Sequence, residues 1–462
     1  MKSVDRSRLP EVGPDPAFTF PAIVHQTLPN GLRIRAVEHH SVPVITFVLQ
    51  IAGGSGADRE GREGATALLA DMVDEGTGSL SAIDVSDAMA RIGADYDIDV
   101  GSDAVTFALT TVTRFAERGA ALLASLVTAP SLRQSDFDRV RQLRLDRLRQ
   151  LKDLAPAVAE RAFLHLLYGA HPYGHLGIGS EAALQQVVLD EIAAMHLDHF
   201  VPARATLVVA GSLTAGELIE VARRAFGGWE AVARASSPPA AARDAAATPA
   251  SAFTPGPRLA IVPREGAAQS ELRIGHLSTR RDTADYPALL VMNALLGGQF
   301  VSRINLKLRE EKGYTYGART GFDWHKGISP FSLQASVHTA VTAEAIRDSL
   351  VELEAIRGSR PPTPQELALA KASLTRGYPR NFETAQQVAR AVAQLALYGL
   401  PDTYFAEFIP KVNAVTDVEL MAAATTYLHP EQLTTLVVGD HAKVGESLSG
   451  LGLGPVEVLP VP

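Results

Sequence analysis

The sequence predicts an α+β fold of two homologous domains, each a mostly antiparallel sheet covered by helices. A stretch rich in Ala, Pro and Ser, Ala231–Arg258, divides the chain into two parts of similar size, and both parts begin and end with the same kinds of element. A chain of 462 residues is also too long for a single core. We therefore predict a first domain at 17–232, an Ala/Pro-rich linker at 233–257 and a second domain at 258–450.

The similarity between the two parts is clearest at their C-terminal ends. Each has a helix, a turn led by Pro202 or Pro430, a buried strand and a further helix. The strands are predicted at Thr206–Ala210 and Thr434–Val438, and Thr214 is placed to open the helix that follows the first of them. The same order of elements in both parts favours a duplicated domain.

The middle of each part is predicted to be helical, and the first part also contains a hairpin. Apolar spacing predicts helices over Asp136–Leu151, with Leu143 on the buried side, and over Thr342–Arg357. Alternation of apolar and polar residues predicts antiparallel strands at Ala94–Val100 and Ala104–Thr111.

Composition excludes several classes of function. The chain has no cysteine, which rules out disulfides, thiolate catalysis and thiolate metal sites. A net charge of −8 argues against a nucleic-acid surface, and no long apolar run predicts a membrane span. The first residues are partly basic but lack an apolar segment, so the chain as given predicts no signal peptide. Cytoplasmic and mature periplasmic locations both stay open.

Common catalytic motifs are absent from the sequence. It contains no phosphate-binding GxxxxGK[ST], no GxGxxG after a strand and no GxSxG. His196 and His199 lie three apart on a predicted helix and could share a face, but no carboxylate at helical spacing completes a set of metal ligands. Surface or packing histidines are the favoured interpretation.

The stretch "LLGGQFVSRINLKLREEKGYTYGART" predicts a helix from about Phe300 to Lys312, ended by Gly313 and followed by an aromatic strand. Arg309 in the last helical turn and Tyr316 after it can converge on one point. A guanidinium and a phenol hydroxyl together suit the binding of a peptide carbonyl or its developing oxyanion. The alternative is that Arg309 caps the helix and Tyr316 serves packing. Taken without further context, the two residues favour this alternative.

Motifs over nearly the whole chain resemble the M16 zinc peptidases, the pitrilysin and mitochondrial-processing-peptidase-like group. "LGGQFVSRINLKLREEKGYTYGA" is similar to the family's Arg/Tyr stretch, "LYGAHPYGHLGIGS" to its HPYG loop and "LVVAGSLTAGELIEVARRAFGGW" to a domain end. The two-domain length is the pattern of the M16B subgroup. The resemblance implies that Arg309 and Tyr316 are the family's catalytic pair.

The same resemblance implies that the zinc site is lost. The family's H-x-x-E-H helix falls on "ALLAD", which puts Ala67 and Asp71 at the two His positions and Ala70 at the Glu position. The family's distal Glu falls near Arg147, within a few residues. Zinc needs three protein ligands and an open position for water, and alanine offers no donor atom. We therefore expect this chain to bind no metal and to hydrolyse no peptide by the family's mechanism.

In mixed pairs of the M16B subgroup, the resemblance implies a division of labour between two chains. The chain is therefore predicted to be the non-catalytic subunit of a heterodimeric zinc endopeptidase acting on oligopeptides. It would supply Arg309 and Tyr316 to a partner that bears an intact H-x-x-E-H motif and the zinc. One alternative is a peptide-binding or structural protein without an enzymatic partner, which uses sheet edges around Gly321–Val337. Another is an enzyme with a relocated metal at His196 and His199.

Overall fold

The computed structural model describes residues 18–230 and 256–462, together with residues 7, 248, 252 and 253. The predicted linker at 233–257 lies almost wholly outside the described residues, so the predicted domain limits stay a prediction. The strands are β1 (Val24–Thr27), β2 (Arg33–Glu38), β3 (Val44–Ala52), β4 (Gly76–Thr77), β5 (Leu80–Ser81), β6 (Asp95–Val100), β7 (Ala104–Val112), β8 (Ala205–Gly211), β9 (Leu259–Pro263), β10 (Gln269–Thr279), β11 (Ala318–Phe322), β12 (Ser329–His338), β13 (Thr434–Gly439) and β14 (Glu457–Val458).

Helices lie between the strands in both halves. They are α1 (Ala65–Met72), α2 (Ala82–Arg91), α3 (Ala116–Thr128), α4 (Gln134–Lys152), α5 (Ala155–Tyr168), α6 (Glu181–Gln186), α7 (Leu189–His199), α8 (Ala215–Phe226), α9 (Tyr286–Leu296), α10 (Arg303–Asn305), α11 (Thr342–Ala355), α12 (Pro364–Thr375), α13 (Ala385–Tyr398), α14 (Tyr404–Ala414), α15 (Asp417–Tyr427) and α16 (His441–Ser449). In the part of the chain that the structure describes, no helix has both the length and the apolar character to cross a membrane.

Two six-stranded sheets organise the halves. Their strand orders are β1-β2-β8-β3-β7-β6 and β11-β12-β10-β13-β9-β14. Most neighbouring strands are antiparallel, but β2 runs parallel to β8 in the first sheet and β9 runs parallel to β13 in the second. In each half, therefore, an early strand lies parallel beside a late one. The predicted α+β class with mostly antiparallel sheets is confirmed, and the shared pairing agrees with a duplication.

Local sequence signals agree with the structure at several points. The hydroxyl of Thr214 accepts a hydrogen bond from the Glu217 N–H, and the Glu217 carboxylate accepts one from the Thr214 N–H, so α8 begins with a capping box. Pro202 and Pro430 both open short turns before β8 and β13. The predicted hairpin is β6 and β7, which pair antiparallel.

The two halves interlock through one exchanged helix each. Each sheet has apolar residues on both faces, and only one face is covered by helices of its own half. Helix α13 packs Val388 into a cluster with Val48 of the first sheet, whereas α5 packs Phe163 into a cluster with Val438 of the second. The first sheet therefore buries its second face only with help from the other half, and the second sheet does the same.

Candidate functional site

Helix α1 carries the residues that the sequence resemblance aligns with the family's zinc helix, and a buried aspartate fixes where α1 begins. The fully buried carboxylate of Asp58 accepts hydrogen bonds from the Gly64 N–H at 2.7 Å, the Thr66 N–H at 2.8 Å and the Thr66 hydroxyl at 2.6 Å. It also lies 3.1 Å from Nε2 of His175 in the HPYG-like loop. Gly64 has φ +98°, and a Cβ there would lie 2.8 Å from the Cα of Gly179, so only glycine fits.

The positions predicted to replace the zinc ligands carry no metal-binding set. Ala67 is 2% exposed and Ala70 is fully buried in the core. Asp71 is half-exposed and accepts a 2.6 Å hydrogen bond from Nε of Arg144 on α4. Within residues 18–230 and 256–462, no group of three His, Asp or Glu side chains could hold a metal ion. Helix α1 is therefore joined to α4 through the ion pair between Asp71 and Arg144.

The region of the predicted distal position carries charges of both signs. Arg147, which the spacing indicates, and Arg144 both line the cavity of about 750 Å³ that Ala67 and Asp71 also line. The same walls include Asp74, Glu75 and Asp97, and Arg144 is paired with Asp71. Leu143 was expected on the buried side of α4, but it is 58% exposed and lines the same cavity. That prediction is wrong because the helix turns this position towards the cavity.

Two acids follow α1, and one of them is paired with an arginine. Glu75 forms an ion pair with Arg139 of α4. Burial, together with the neighbouring charges of Glu75 and Asp71, raises the pKa of Asp74 to about 6. The surroundings of Asp74 therefore disfavour the charged form of its carboxylate.

The second candidate site lies where a helix meets a strand in the other half. Helix α10 begins at Arg303, three residues later than Phe300, and widens into π-type turns over Leu306–Glu311, which hold Arg309. Gly313, with φ +65°, ends these turns as predicted. Tyr316 was expected in a strand, but it lies in the loop before β11.

Arg309 is supported from one side and open on the other. Its Cζ lies 3.4 Å from the centre of the Phe300 ring, which is a cation–π contact. Its Nε donates a hydrogen bond to Oε1 of Glu310 at 2.8 Å. No described residue accepts a hydrogen bond from its Nη1. The guanidinium is therefore oriented while keeping donors for a further acceptor.

Tyr316 extends from an anchored loop. The side chain of Asn305 receives a hydrogen bond from the Ala318 N–H at 2.8 Å and donates one to the Ala318 carbonyl at 2.6 Å, which fixes the loop beside β11. The Tyr316 side chain is nevertheless 94% exposed, and its hydroxyl has no partner among the described residues. An anchored loop that carries a fully exposed phenol leaves this ring available to a surface outside the chain.

Arg309 and Tyr316 line one cavity of about 520 Å³, as the sequence predicts. The walls also include Arg273 and Arg319, and one carboxylate, Glu271. Arg319 is held by the side-chain oxygen of Gln334 at 2.8 Å. Arg309 is paired with Glu310, and Arg273 with Glu160 and Glu271, so the cavity offers guanidinium donors whose charges are partly balanced.

The paired histidines of α7 serve packing. Nε2 of His196 lies 2.8 Å from the carbonyl oxygen of Val127, and burial lowers the pKa of His196. Burial also lowers the pKa of His199, to about 4. Neither forms part of a three-ligand cluster in the described ranges, so the relocated-metal hypothesis has no geometric support.

Sequence reasoning missed two residues that shape these sites. Asp58 belongs to no motif that the sequence analysis uses, and only the fold brings its carboxylate to the start of α1. Arg144 was missed because the family spacing indicated Arg147, one helical turn further along. The 73-residue separation of Asp71 and Arg144 lies within the uncertainty of that spacing and was the one available signal.

Known proteins resemble this chain along most of its length. A protein of Mycobacterium tuberculosis named as an uncharacterized zinc protease is 24% identical over 92% of this chain and 95% of its own. A Helicobacter pylori protein named as a non-peptidase homolog is 20% identical over 91% of this chain and 95% of its own. The beta subunit of rat mitochondrial-processing peptidase is 24% identical over 48% of this chain and 45% of its own.

Solved structures share the fold. The crystal structure of a protease from Helicobacter pylori has a TM-score of 0.83 at 21% identity, covering 90% of this chain and 99% of that one. A Pseudomonas fluorescens structure described as a peptidase M16 inactive domain has a TM-score of 0.80 at 20% identity, covering 90% and 98%. The fold is therefore that of the two-domain peptidase-like proteins.

A family model matches part of the chain. It is described as the peptidase M16 inactive domain and matches residues 186–374, which include Arg309 and Tyr316. The predicted resemblance to the M16 family is confirmed. The roles of individual residues stay predictions.

Proposed function

We propose that this chain is the non-catalytic subunit of a heterodimeric M16B zinc endopeptidase and supplies Arg309 and Tyr316 to its partner's active site. One observation carries the proposal: Arg309 and Tyr316 line a common open cavity, whereas Ala67, Ala70 and Asp71 form no zinc site. Zinc and the general base would come from a partner with an intact H-x-x-E-H motif, and oligopeptides would be the substrates.

The chemistry of the pair supports this role. When water attacks a peptide carbonyl, negative charge develops on the carbonyl oxygen. Donors that are already oriented stabilise that charge without reorganising during the reaction. The Phe300 ring and Glu310 orient the guanidinium of Arg309, and the exposed hydroxyl of Tyr316 is open to a substrate or another chain.

The similarities support the same interpretation. One relative is named as a non-peptidase homolog, and another is named as a subunit of a processing peptidase. A loss of zinc ligands together with a retained Arg/Tyr pair agrees with a chain that acts inside an assembly. A peptidase that worked alone would need both the zinc ligands and the Arg/Tyr pair.

Reconstitution tests the proposal. The chain is mixed with an H-x-x-E-H-bearing M16B chain from the same host, and cleavage of a quenched fluorescent peptide is measured together with zinc content. We expect peptidase activity from the mixture, zinc only in the partner, and a fall in kcat for Arg309→Ala and Tyr316→Phe. Arg223→Ala, which removes a surface arginine paired with Glu220 on α8, is the matched control. Equal kcat for all four mixtures would contradict the proposal.

The alternative function, peptide binding without an enzymatic partner, has one supporting observation. Strand β11 is the edge strand of the second sheet and lines the cavity with Arg309 and Tyr316. Its outer edge could pair with an extended peptide by strand addition. Affinity purification from the native host separates the two functions, because an H-x-x-E-H partner is expected only for the heterodimer.

A further inference from the structure

A separate cavity of about 430 Å³ lies where the two halves meet. Neither α1 nor the Arg309 and Tyr316 pair lines it. Its walls are the first sheet, the exchanged helices α5 and α13, and the loop that carries His325. Sites for small molecules in proteins have this size and this position between structural units.

The floor of the cavity contains a buried amide without a protein partner. Gln50 of β3 is 8% exposed and lines the cavity, and its side chain makes no hydrogen bond with any residue that the structure describes. Thr106, opposite Gln50 on β7, lines the cavity too, and its hydroxyl is likewise without a partner in the described ranges. The polar atoms of both side chains are open to the cavity, so they are available to water or to a ligand there.

The charges around the cavity favour a cation. Its walls carry four carboxylates and one guanidinium, those of Asp99, Asp103, Glu160, Asp323 and Arg390. The guanidinium is already paired with Asp97 at 2.7 Å, and Glu160 is paired with Arg273 at 3.2 Å. The charge that remains on the cavity walls is therefore negative, and it lies beside the buried amide.

Two of these carboxylates have no cationic partner. Asp103 accepts hydrogen bonds from the Tyr173 hydroxyl and, at 2.8 Å, from the Lys326 N–H, both of which are neutral donors. Asp99 makes no ion pair or hydrogen bond through its side chain within the described part of the chain. A carboxylate near a buried amide oxygen is the acceptor set that an ammonium group with three donors requires.

The walls between these polar groups are apolar. Leu164, Leu176, Trp324 and Leu397 contribute to them. A short aliphatic chain could pack there while its charged end meets the acids. We propose that this cavity binds a primary alkylammonium group on a short aliphatic chain, the chemistry shared by a free diamine and a lysine side chain. This site is independent of the proposed function.

Ligand binding at this place stabilises the contact between the halves. The two halves are joined near the cavity by hydrogen bonds from the Lys326 N–H to Asp103 and, at 2.7 Å, from the Tyr168 hydroxyl to the Ile328 carbonyl. A ligand that binds only the assembled cavity raises the free energy of unfolding by mass action. Thermal unfolding is therefore a second readout beside direct binding.

Calorimetry on the full chain tests the site with three probes. These are 1,5-diaminopentane, Nα-acetyl-lysine methylamide and uncharged 1,5-pentanediol. We expect at least one of the two cations to bind and to raise Tm, and the diol to do neither. Binding of the diamine alone assigns a free diamine, and binding of the lysine derivative assigns a peptide side chain. The proposal would be overturned if neither cation bound, because the cavity would then hold only water. It would also be overturned if the diol bound as tightly as the cations.

Two variants locate the site. Gln50→Leu and Asp99→Asn are each expected to raise Kd roughly tenfold or more, because each removes an acceptor for a charged donor. Asp99 is exposed and without a side-chain contact, so its replacement leaves the fold intact. Asp87→Asn on α2, also exposed, is the matched control and is expected to leave Kd unchanged. Unchanged Kd in both site variants would overturn the proposal.

Discussion

The cavity beside α1 and the cavity beside β11 belong to duplicated halves, yet their charged groups are used differently. Beside α1, Asp71 is paired with Arg144 and Glu75 with Arg139. Beside β11, Arg309 keeps an Nη1 without a protein partner in the described ranges, and Tyr316 is almost completely exposed. The acids beside α1 are therefore held in internal ion pairs, whereas donors beside β11 stay open. Two cavities of a duplicated fold can thus differ in whether their charged groups are paired within the chain.

Helix α1 is well anchored. Asp58 holds the start of α1, and Ala70 belongs to the core cluster of the first half. These contacts make α1 part of the packing of the first half. The comparison therefore predicts large effects on stability in the first half and large effects on catalysis in the second.

The largest effect on stability is expected at Asp58. Asp58→Ala leaves the donors of Gly64, Thr66 and His175 unsatisfied in a buried place, and we expect a loss of about 3–5 kcal/mol in the free energy of unfolding. Urea unfolding followed by circular dichroism measures it. The exposed Asp87→Ala is the control and should change stability by less than about 0.5 kcal/mol. A loss at Asp58 no larger than the control's would show that α1 is not anchored in this way.

Asp74 is expected to destabilise the folded protein at neutral pH. Its pKa is about 6 in the folded protein against an ordinary value of 3.8, so the folded state holds the proton more tightly. Stability is therefore lost as the pH rises from about 4 to about 6. Asp74→Asn should be more stable than the wild type by about 1–3 kcal/mol at pH 8, and the difference should vanish near pH 3.5. A difference that does not depend on pH would contradict this account.

The ion pair between Asp71 and Arg144 should contribute less. Asp71 is half-exposed, so Arg144→Ala is expected to cost about 1 kcal/mol in the free energy of unfolding. Arg147→Ala is the matched control from the same helix, since Arg147 has only a 3.4 Å hydrogen bond to Gln150. Equal stability losses in the two variants would mean that the pair does not replace a metal link between α1 and α4.

The smallest effect on stability is expected at Tyr316. Because its side chain is 94% exposed, Tyr316→Phe should alter the free energy of unfolding by less than about 0.5 kcal/mol. Tyr168→Phe, which removes a buried hydrogen bond to the Ile328 carbonyl, is the contrast and should cost about 1–2 kcal/mol. A large loss at Tyr316 would indicate a packing role for this ring in the isolated chain.

Much of the fold is predictable because its signals are local. Alternation marks β6 and β7, a buried apolar run marks β8, and Thr214 marks the start of α8. The exchange of α5 and α13 is not predictable in this way. An apolar helix face shows that it will be buried, but it does not show which sheet will cover it.

The candidate site was predictable in its residues more than in its geometry. Motif spacing indicated Ala67, Ala70, Asp71, Arg309 and Tyr316, and the structure brings the last two to one cavity. The ion pair of Asp71 depends on how α1 crosses α4, which is a tertiary feature. The position of Tyr316 in a loop depends on Asn305, whose side chain bonds to Ala318.

The central claim is that the second half supplies chemistry while the first half supplies structure. Its most direct test is kcat of the reconstituted heterodimer with Arg309→Ala and, separately, with Arg144→Ala. The account predicts a loss of roughly a hundredfold to a thousandfold for Arg309→Ala, as for an oxyanion donor, and nearly unchanged kcat for Arg144→Ala. An unchanged kcat for Arg309→Ala, or equal losses for both variants, would contradict it.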